Sequence, residues 1–557
     1  MPTAVRHRAR VLLVLAPSES SFSPLRRNLP PLALATLQTY LRASGHEVVS
    51  VDLNLALPTR PDGPAWASLV DKTFVLDVLR RGTGLDRVHA LFGSALDRPN
   101  PRAFDVVGLS CGADFSLFQI HAALAIGALL DAISGRPVVL GGTNITYLYQ
   151  FRETYAELWT AIRARFPYVI KGAGERPFAR IIAALADRSA PALRASLPGA
   201  IVDDGATIRA NDEDLPTLVR PDFAGLALER YTTCVRVDDE RQNEIDFFKL
   251  PYWLNLQASE ANRRGRSASG TVERVFLPYV FNHHCPYRCA FCEQSDERKC
   301  PPCSKDAPSV VDDVTHLAAT HRTRYFYFFN NCFNYRSAFV REFCQRVVDR
   351  RLDLRWSDCA RATGLARPLV EQMYAAGCRK LIFGLETASP RLLRYIDKRM
   401  TLDQLEQALT WCAAAGIWAD VEVIVGFPFE FEDDFQATCR FLERNAHRIN
   451  QVYVNRYFVV PSSLIGTYPD RYRIRLTRVR SYDDLAARAA RVFARGNVTT
   501  GSDALDTPFH IFAFDEIGGR THAQIVGETA DKLARLSALV DGLRGGAGSP
   551  LMQPAKA

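Results

Sequence analysis

The sequence predicts an α/β protein with an N-terminal doubly wound, Rossmann-like domain, a partial (β/α)6 barrel of the TIM type, and a small mixed C-terminal region. Three observations predict it. Short runs rich in Val, Ile and Leu alternate with amphipathic stretches in two separate series, residues 11–185 and 275–460, and such alternation implies parallel sheets. The second series holds six of these units, too few to close an eight-stranded barrel. Glycine turns and a cysteine motif stand directly after strand-like runs, and that carboxyl edge is where parallel sheets of both kinds place their ligands.

In the first series residues 11–15 form a short apolar strand, and 32–44 carry helical periodicity that stops at Gly45. Further strands are expected at 48–52, 106–110, 138–140 and 168–171, with helices at 118–133, 155–165 and 177–186. Residues 212–274 are interrupted by Pro216, Pro221 and Pro251 and read as a connector. In the second series the strands are 275–282, 325–330, 354–357, 380–386, 419–425 and 452–459. The helices between them are 310–320, 338–350, 368–376, 402–415 and 433–445, and a last helix spans 524–543. The expected division is a first domain at 1–200, a linker at 201–270, the barrel at 271–465 and a C-terminal region at 466–557.

A chain of 557 residues can hold two or three domains, and 47% hydrophobic with 23% charged residues is the composition of a globular protein. The net charge of +8 is spread without a basic tract, so no nucleic-acid partner is expected. The apolar run 11–16 is too short for a signal peptide, and no stretch approaches the length of a membrane span. Scattered cysteines fit a reducing compartment, so a cytoplasmic protein without membrane partners is expected.

The segment Cys285-Pro-Tyr-Arg-Cys289-Ala-Phe-Cys292 follows the first strand of the second series. Three thiolates at this spacing can hold three corners of a cubane iron–sulfur cluster and leave one iron with an open position. An open iron binds and activates a ligand, whereas a fully ligated cluster mainly carries electrons. The competing reading is half of a zinc site, with Cys300 and Cys303 as the second pair. Cys332 reads either as a fourth ligand or thiol of the site, or as a small buried hydrophobe.

Taken with a six-unit βα barrel, the cysteine motif resembles the radical S-adenosylmethionine (SAM) superfamily. The resemblance implies a [4Fe-4S] cluster on Cys285, Cys289 and Cys292, with Phe291 beside the adenine of SAM. It implies further SAM contacts from Gly384, Glu386 and Thr387 after the fourth barrel strand and from Val423 and Gly426 on the fifth. Asn330 and Asn331 stand where relatives often carry acidic residues, keeping hydrogen-bonding capacity and losing charge. The stretch 377–434 is similar to the branch that bears a cobalamin-binding domain. Leu29-Pro30-Pro31-Leu32 and Gly45-His46-Glu47-Val48 resemble the start of that domain.

The same resemblance places cobalamin against Ser110, Cys111, Gly141, Gly142, Thr143, Gly172, Gly174 and Glu175. The sequence Asp-x-His-x-x-Gly, which puts a histidine on cobalt in many cobalamin proteins, does not occur, so the lower face of cobalt should lack that ligand and meet residues 110–114. Arg361, Arg456 and Tyr457, at barrel strand ends, are the candidate substrate-facing groups, with Arg361 and Tyr457 as catalytic candidates. The implied activity is methylation of an unactivated carbon of a natural product or peptide precursor. The electron would come from a donor such as flavodoxin or ferredoxin. A cyclase or ring-rearranging enzyme, a methylthiotransferase with a further cluster, and a non-catalytic cobalamin or iron–sulfur sensor are the rival readings.

Overall fold

The computed structural model describes residues 8–18, 29–57, 64–112, 116–186, 200–201, 217–236, 271–283, 285–293, 303–494 and 510–545. The chain folds into two compact units, 1–231 with 480–511 and 232–479 with 512–557. The chain therefore leaves the second unit after Val479 to add a segment to the first, then returns at Phe512.

The first unit is built on one six-stranded sheet in the order β2-β1-β3-β4-β5-β6. Its strands are β1 (Arg10–Leu15), β2 (Glu47–Asp52), β3 (Val106–Ser110), β4 (Val138–Gly141), β5 (Tyr168–Ile170) and β6 (Ala200–Ile201). All pair in parallel except β6, which runs antiparallel at the edge. The strand order reverses at the β1/β3 pair, and doubly wound sheets bind ligands outside the carboxyl ends of strands at such a switch point. Five of the six β1 residues are buried, because a central strand covered on both faces must be apolar throughout.

The helix Leu117–Ser134 is buried around nearly its whole girth, starts where the Ser116 side chain accepts from the Gln119 N–H, and ends at Gly135 with φ 61°. By length and composition it could cross a membrane, contrary to the sequence expectation, but 83% of it is buried inside the protein, as a core helix is. The helices Lys72–Arg81, Leu85–Leu96 and Thr143–Gln150 had no counterpart in the sequence reading.

Tyr482–Ala494, from the segment expected in a separate C-terminal region, packs on this core. Its Tyr482 hydroxyl lies 2.7 Å from His121 Nε2, Asp483 pairs with Lys72 at 2.6 Å, and Phe493 stacks on Phe118 at 5.6 Å.

The second unit carries a seven-stranded sheet whose order follows the chain, β13-β12-β11-β10-β9-β8-β7. The strands are β7 (Thr232–Arg236), β8 (Thr271–Tyr279), β9 (Tyr325–Phe328), β10 (Arg355–Ala360), β11 (Cys378–Glu386), β12 (Trp418–Val425) and β13 (Gln451–Arg456). β8 to β13 are parallel and β7 is antiparallel at the edge. Helices Ala307–His321, Ser337–Asp349, Arg367–Ala375, Leu402–Ala415 and Glu432–Asn445 connect the successive parallel strands, with the short helix Pro390–Tyr395 added after β11.

This is the expected open half-barrel of six βα units. The helix of the sixth unit comes from far along the chain: His522–Gly545 packs beside β12, β13 and Glu432–Asn445. A two-stranded antiparallel ribbon, β14 (Ile474–Arg478) with β15 (Phe512–Glu516), completes the unit. The first barrel strand ends at Tyr279, three residues short of the sequence expectation. The Phe281 and Asn282 N–H groups donate to Asn330 Oδ1 at 3.0 and 2.9 Å instead of continuing the ladder.

Candidate functional site

The cysteine loop leaves the carboxyl end of β8. A polar network among strand ends holds its root. Asn330 accepts the two amides just named and donates to Asp358, Asn282 Nδ2 donates to the Cys332 carbonyl at 2.9 Å, and Asn334 exchanges hydrogen bonds with the Arg361 backbone at 2.7 and 2.9 Å. The side chain of Asn330 is thus spent inside the protein, while exposed Asn331 reaches the His283 carbonyl at 2.7 Å. Burial pushes the Asp358 carboxyl up to about 8.

Further along the loop, Ala290 is fully buried; its N–H donates to the Ile396 carbonyl at 2.7 Å and its carbonyl accepts from Ile465 N–H at 3.0 Å. The Cys292 N–H closes a turn on the Cys289 carbonyl at 3.0 Å. Cys289 is buried, and Cys285 and Cys292 are half-buried. None of the described cysteines is in a disulfide.

Two cations stand over this loop. Arg361, at the end of β10, is buried, sits over the Tyr287 ring with its guanidinium carbon 3.7 Å from the centroid, and aims Nη1 at Cys289 Sγ from 3.4 Å. Its Nη2 donates to the Lys398 carbonyl. The Lys398 ammonium pairs with Glu386 at 2.5 Å and faces the Phe291 ring at 5.9 Å. Burial works against the Lys398 charge, but the Glu386 carboxylate and Cys289 outweigh it and its pKa is raised.

Glu386 sits at a register shift between β11 and β12 with φ 60°. A side chain on Gly384 would lie 2.2 Å from Glu386 Oε1 and 2.6 Å from Lys398 Nζ, so the bare glycine is what admits the ion pair.

The remaining sequence candidates fall into two groups. Phe291 meets Phe427 edge-on at 5.5 Å, Phe427 meets Tyr457 at 4.9 Å, and Tyr457 meets Phe514 at 5.8 Å, so Phe291 and Tyr457 belong to one aromatic cluster beside the loop. The buried Tyr457 hydroxyl has no hydrogen-bond partner among the described residues. Thr387, Val423 and Gly426 turn elsewhere. The Thr387 hydroxyl accepts from Ser389 N–H at 3.2 Å and lies 3.4 Å from the Thr438 hydroxyl. Val423 is buried on the face of β12 opposite Asp420 and Glu422. Gly426, at φ 95°, gives its N–H to Glu430 and leaves room for Thr529, whose Oγ1 would be 2.7 Å from any added side chain.

Cys332 is buried, donates to Asn334 Oδ1 at 3.5 Å, and burial with the neighbouring Cys285 pushes its thiol up to about 12. The backbone carbonyl of Cys303 accepts from His283 N–H at 2.9 Å, and Cys300 lies outside the described residues. Among the described residues no three His, Cys, Asp or Glu side chains gather around a single-ion position.

The sequence reading overlooked Lys398, Tyr287, Asp358 and Glu422. A usable signal for Glu422 was a charged residue alternating with apolar ones inside a strand, as in Asp420-Val-Glu422-Val. Glu422 is half-buried on the same face as Asp420, and burial and then the neighbouring Glu386 raise its carboxyl to about 7. Below it, Lys380 pairs with Asp420 at 2.5 Å, both fully buried, with Tyr453 donating to Asp420 at 2.7 Å.

In the first unit the cobalamin candidates also lie together at one carboxyl edge. A side chain on Gly142 (φ 106°) would lie 2.2 Å from the Cys111 carbonyl oxygen, so the β4 end closes onto the β3 end only because Gly142 has none. Cys111 N–H donates to the Gly141 carbonyl at 2.8 Å, and the Asn144 N–H lies 3.2 Å from the Gly112 carbonyl. Gly172 N–H reaches Thr146 Oγ1 at 2.9 Å. Glu175 is buried, its carboxyl raised by burial against hydrogen bonds from its own backbone and Thr217. Thr143 and Gly172 are exposed, Ser110 is half-buried, and a side chain on Gly174 would meet nothing within 4 Å. Residues 113 and 114 of the loop expected below cobalt lie outside the described residues.

Residues 279–442 match the radical SAM superfamily. An uncharacterized methyltransferase of Pyrococcus horikoshii is 26% identical over 160 residues, 29% of this chain and 35% of that one. The anaerobic magnesium-protoporphyrin IX monomethyl ester cyclase of Rubrivivax gelatinosus is 28% identical over 173 residues, 30% of each chain. The match thus spans about a third of these relatives.

Nearly the whole fold is shared with the radical SAM methyltransferase TsrM of Kitasatospora setae. With cobalamin and a [4Fe-4S] cluster bound, that structure gives a TM-score of 0.56 at 18% identity over 86% of this chain and 82% of that one. With tryptophan substrate and a SAM analogue bound, it gives 0.58 at 18% identity, over 94% and 88%.

Proposed function

We propose that this protein is a cobalamin-dependent radical SAM enzyme that methylates an unactivated carbon of a small natural product or peptide precursor. One observation carries the reading. The chain combines a Cys285/Cys289/Cys292 loop on a six-unit half-barrel with a separate doubly wound unit whose carboxyl edge is made of glycine turns and neutral amides.

The residues present fit the groups this requires. For a [4Fe-4S] cluster there are three cysteines on one pinned loop with an N–H donor aimed at one sulfur. For SAM there are Phe291, the Glu386–Lys398 pair, the half-buried Glu422 and the unpartnered Tyr457 hydroxyl. For cobalamin there are the space at Gly174, the exposed Thr143 and the buried Asn144 Oδ1, which has no partner among the described residues. When bound, these groups supply one-electron hydrogen abstraction and a transferable methyl group.

The protein's own work is to hold, orient and screen. Gly384 lets Glu386 and Lys398 pair at the carboxyl end of β11, where the carboxylate would hold the cationic parts of SAM and the ammonium its carboxylate. Glu422, near neutrality in its titration, is a proton acceptor inside the half-barrel. The apolar ring of Phe427, Tyr457 and Phe514 keeps water from that side. A one-electron donor such as a flavodoxin or ferredoxin, in a reducing compartment such as the cytoplasm, completes the system.

The test is anaerobic reconstitution with iron, sulfide and hydroxocobalamin, followed by reductant and SAM. Formation of 5′-deoxyadenosine and S-adenosylhomocysteine, and a product heavier by one methyl group, is expected. Intact cluster without any SAM consumption sinks the reading. The cyclase relative keeps one alternative in view: a product changed by loss of hydrogens, without S-adenosylhomocysteine, would mark an oxidative cyclisation.

A further inference from the structure

We infer that Arg361 acts on the iron–sulfur cluster rather than on substrate: it is a positioning residue whose buried guanidinium raises the cluster's reduction potential through Cys289. This rests on the cluster assignment above.

The argument begins with where Arg361 is not. Chain position puts it at the end of β10, among the strand ends that face bound ligands, and sequence alone suggests a substrate contact. In the structure it is 9% exposed, and its guanidinium meets groups on and beside the cysteine loop. It sits over Tyr287, which lies between the first two cysteines, at 3.7 Å. Nη1 points at Cys289 Sγ from 3.4 Å, and Nη2 is held by the Lys398 carbonyl. Its backbone is fixed at both ends by Asn334. Nε has no hydrogen-bond partner among the described residues. An arginine held over a ring and clamped by a carbonyl has little rotamer freedom, so the direction of Nη1 is built in.

The physical consequence follows from charge. One electron added to the cluster makes it more negative, and no proton accompanies it. A fixed cation with an N–H aimed at a cluster thiolate stabilises that added charge, strongly so where burial keeps the local dielectric low. Hydrogen bonds to cluster sulfurs and burial are recognised levers on the potential. Lys398 and Arg399, which also act on Cys289, are paired with Glu386 and Asp397, which leaves Arg361 as the cation at this sulfur with no carboxylate partner among the described residues.

The experiment is a potentiometric titration of the reconstituted full-length protein without SAM or cobalamin, read by EPR and visible absorption. Arg361→Leu removes charge and donor, Arg361→Gln keeps a donor, and Arg361→Lys keeps the charge. The midpoint should fall in the order wild type, then Lys and Gln, then Leu. For Leu, reduction at a fixed potential should be about tenfold less favourable, ~59 mV for one electron.

Should Arg361→Leu fail to hold four irons, Tyr287→Leu is the second arm: it frees the guanidinium without touching a ligand and should shift the midpoint in the same direction by less. Intact clusters with an unchanged midpoint in these variants overturn the inference and leave the cluster assignment standing. A wild type that takes up no cluster overturns both.

Discussion

The two units solve the same problem, a parallel sheet with an open carboxyl edge, with opposite chemistry. In the first, the space vacated by Gly142 is filled by the Cys111 backbone, and the surrounding groups are neutral: main chain, Gln119, Asn144, Thr143. In the second, the space vacated by Gly384 is filled by the tips of two charged side chains, and Arg361 and Glu422 stand close by. One edge is built for close backbone approach, which suits a large, amide-rich and nearly neutral ligand. The other is built to place charge, which suits a cationic cosubstrate beside an anionic cluster. A missing Cβ is the shared device, and what moves into the space decides the chemistry.

That contrast can be broken at either glycine. Gly142→Ala forces a Cβ against main chain at a φ that side chains avoid, and should destabilise the first unit by about 3–5 kcal/mol. Urea unfolding would report it, with cobalamin uptake lost and iron content unchanged. Gly384→Ala displaces only side-chain ends, so the cost should be about 1–3 kcal/mol. Equilibrium dialysis should show weakened SAM binding on a protein that still holds its cluster. Equal losses of stability in the two variants would erase the distinction between a backbone edge and a charged one.

The units should also diverge with pH. Burial holds His121 down to about 3 in the folded first unit, below its ordinary value of 6.5. The folded pKa is depressed, so this contribution is present above 6.5 and is lost as pH falls through about 3. In the second unit Asp358 is raised from 3.8 to about 8, so its contribution is full below 3.8 and is lost as pH rises through about 8. Each slope is at most about 1.4 kcal/mol per pH unit. Denaturant midpoints against pH should show an acid limb that His121→Gln flattens and an alkaline limb that Asp358→Asn flattens. The smallest effect belongs to Gly174→Ala: nothing lies near the added methyl, so stability should change by no more than about 0.5 kcal/mol. Weaker cobalamin binding would then show that the space belongs to the cofactor.

Much of this was legible in the chain itself. Strands 11–15 and 106–110 and helix 402–415 fall within a residue of where period and composition put them, because each is a buried, strongly patterned segment with clear stop signals. Between residues 60 and 105 the helices went unread, although Asp71 caps one and Gly82 ends it. The site divided along the same line. The cysteine spacing announces a cluster, but Lys398 gave no local signal, being brought to Glu386 only by the turn after Pro390–Tyr395. Asn330, placed by resemblance against SAM, instead uses its side chain to terminate β8.

By itself the sequence determined the two alternating series, the cysteine loop and the glycine turns, since each depends on neighbours within a few residues. Only the tertiary structure decided that residues 480–511 return to the first unit and that His522–Gly545 serves as the sixth barrel helix. It alone turned Arg361 from an open edge toward Cys289. Those outcomes depend on which distant surfaces bury each other and which charges lose their water, and no local pattern carries that information.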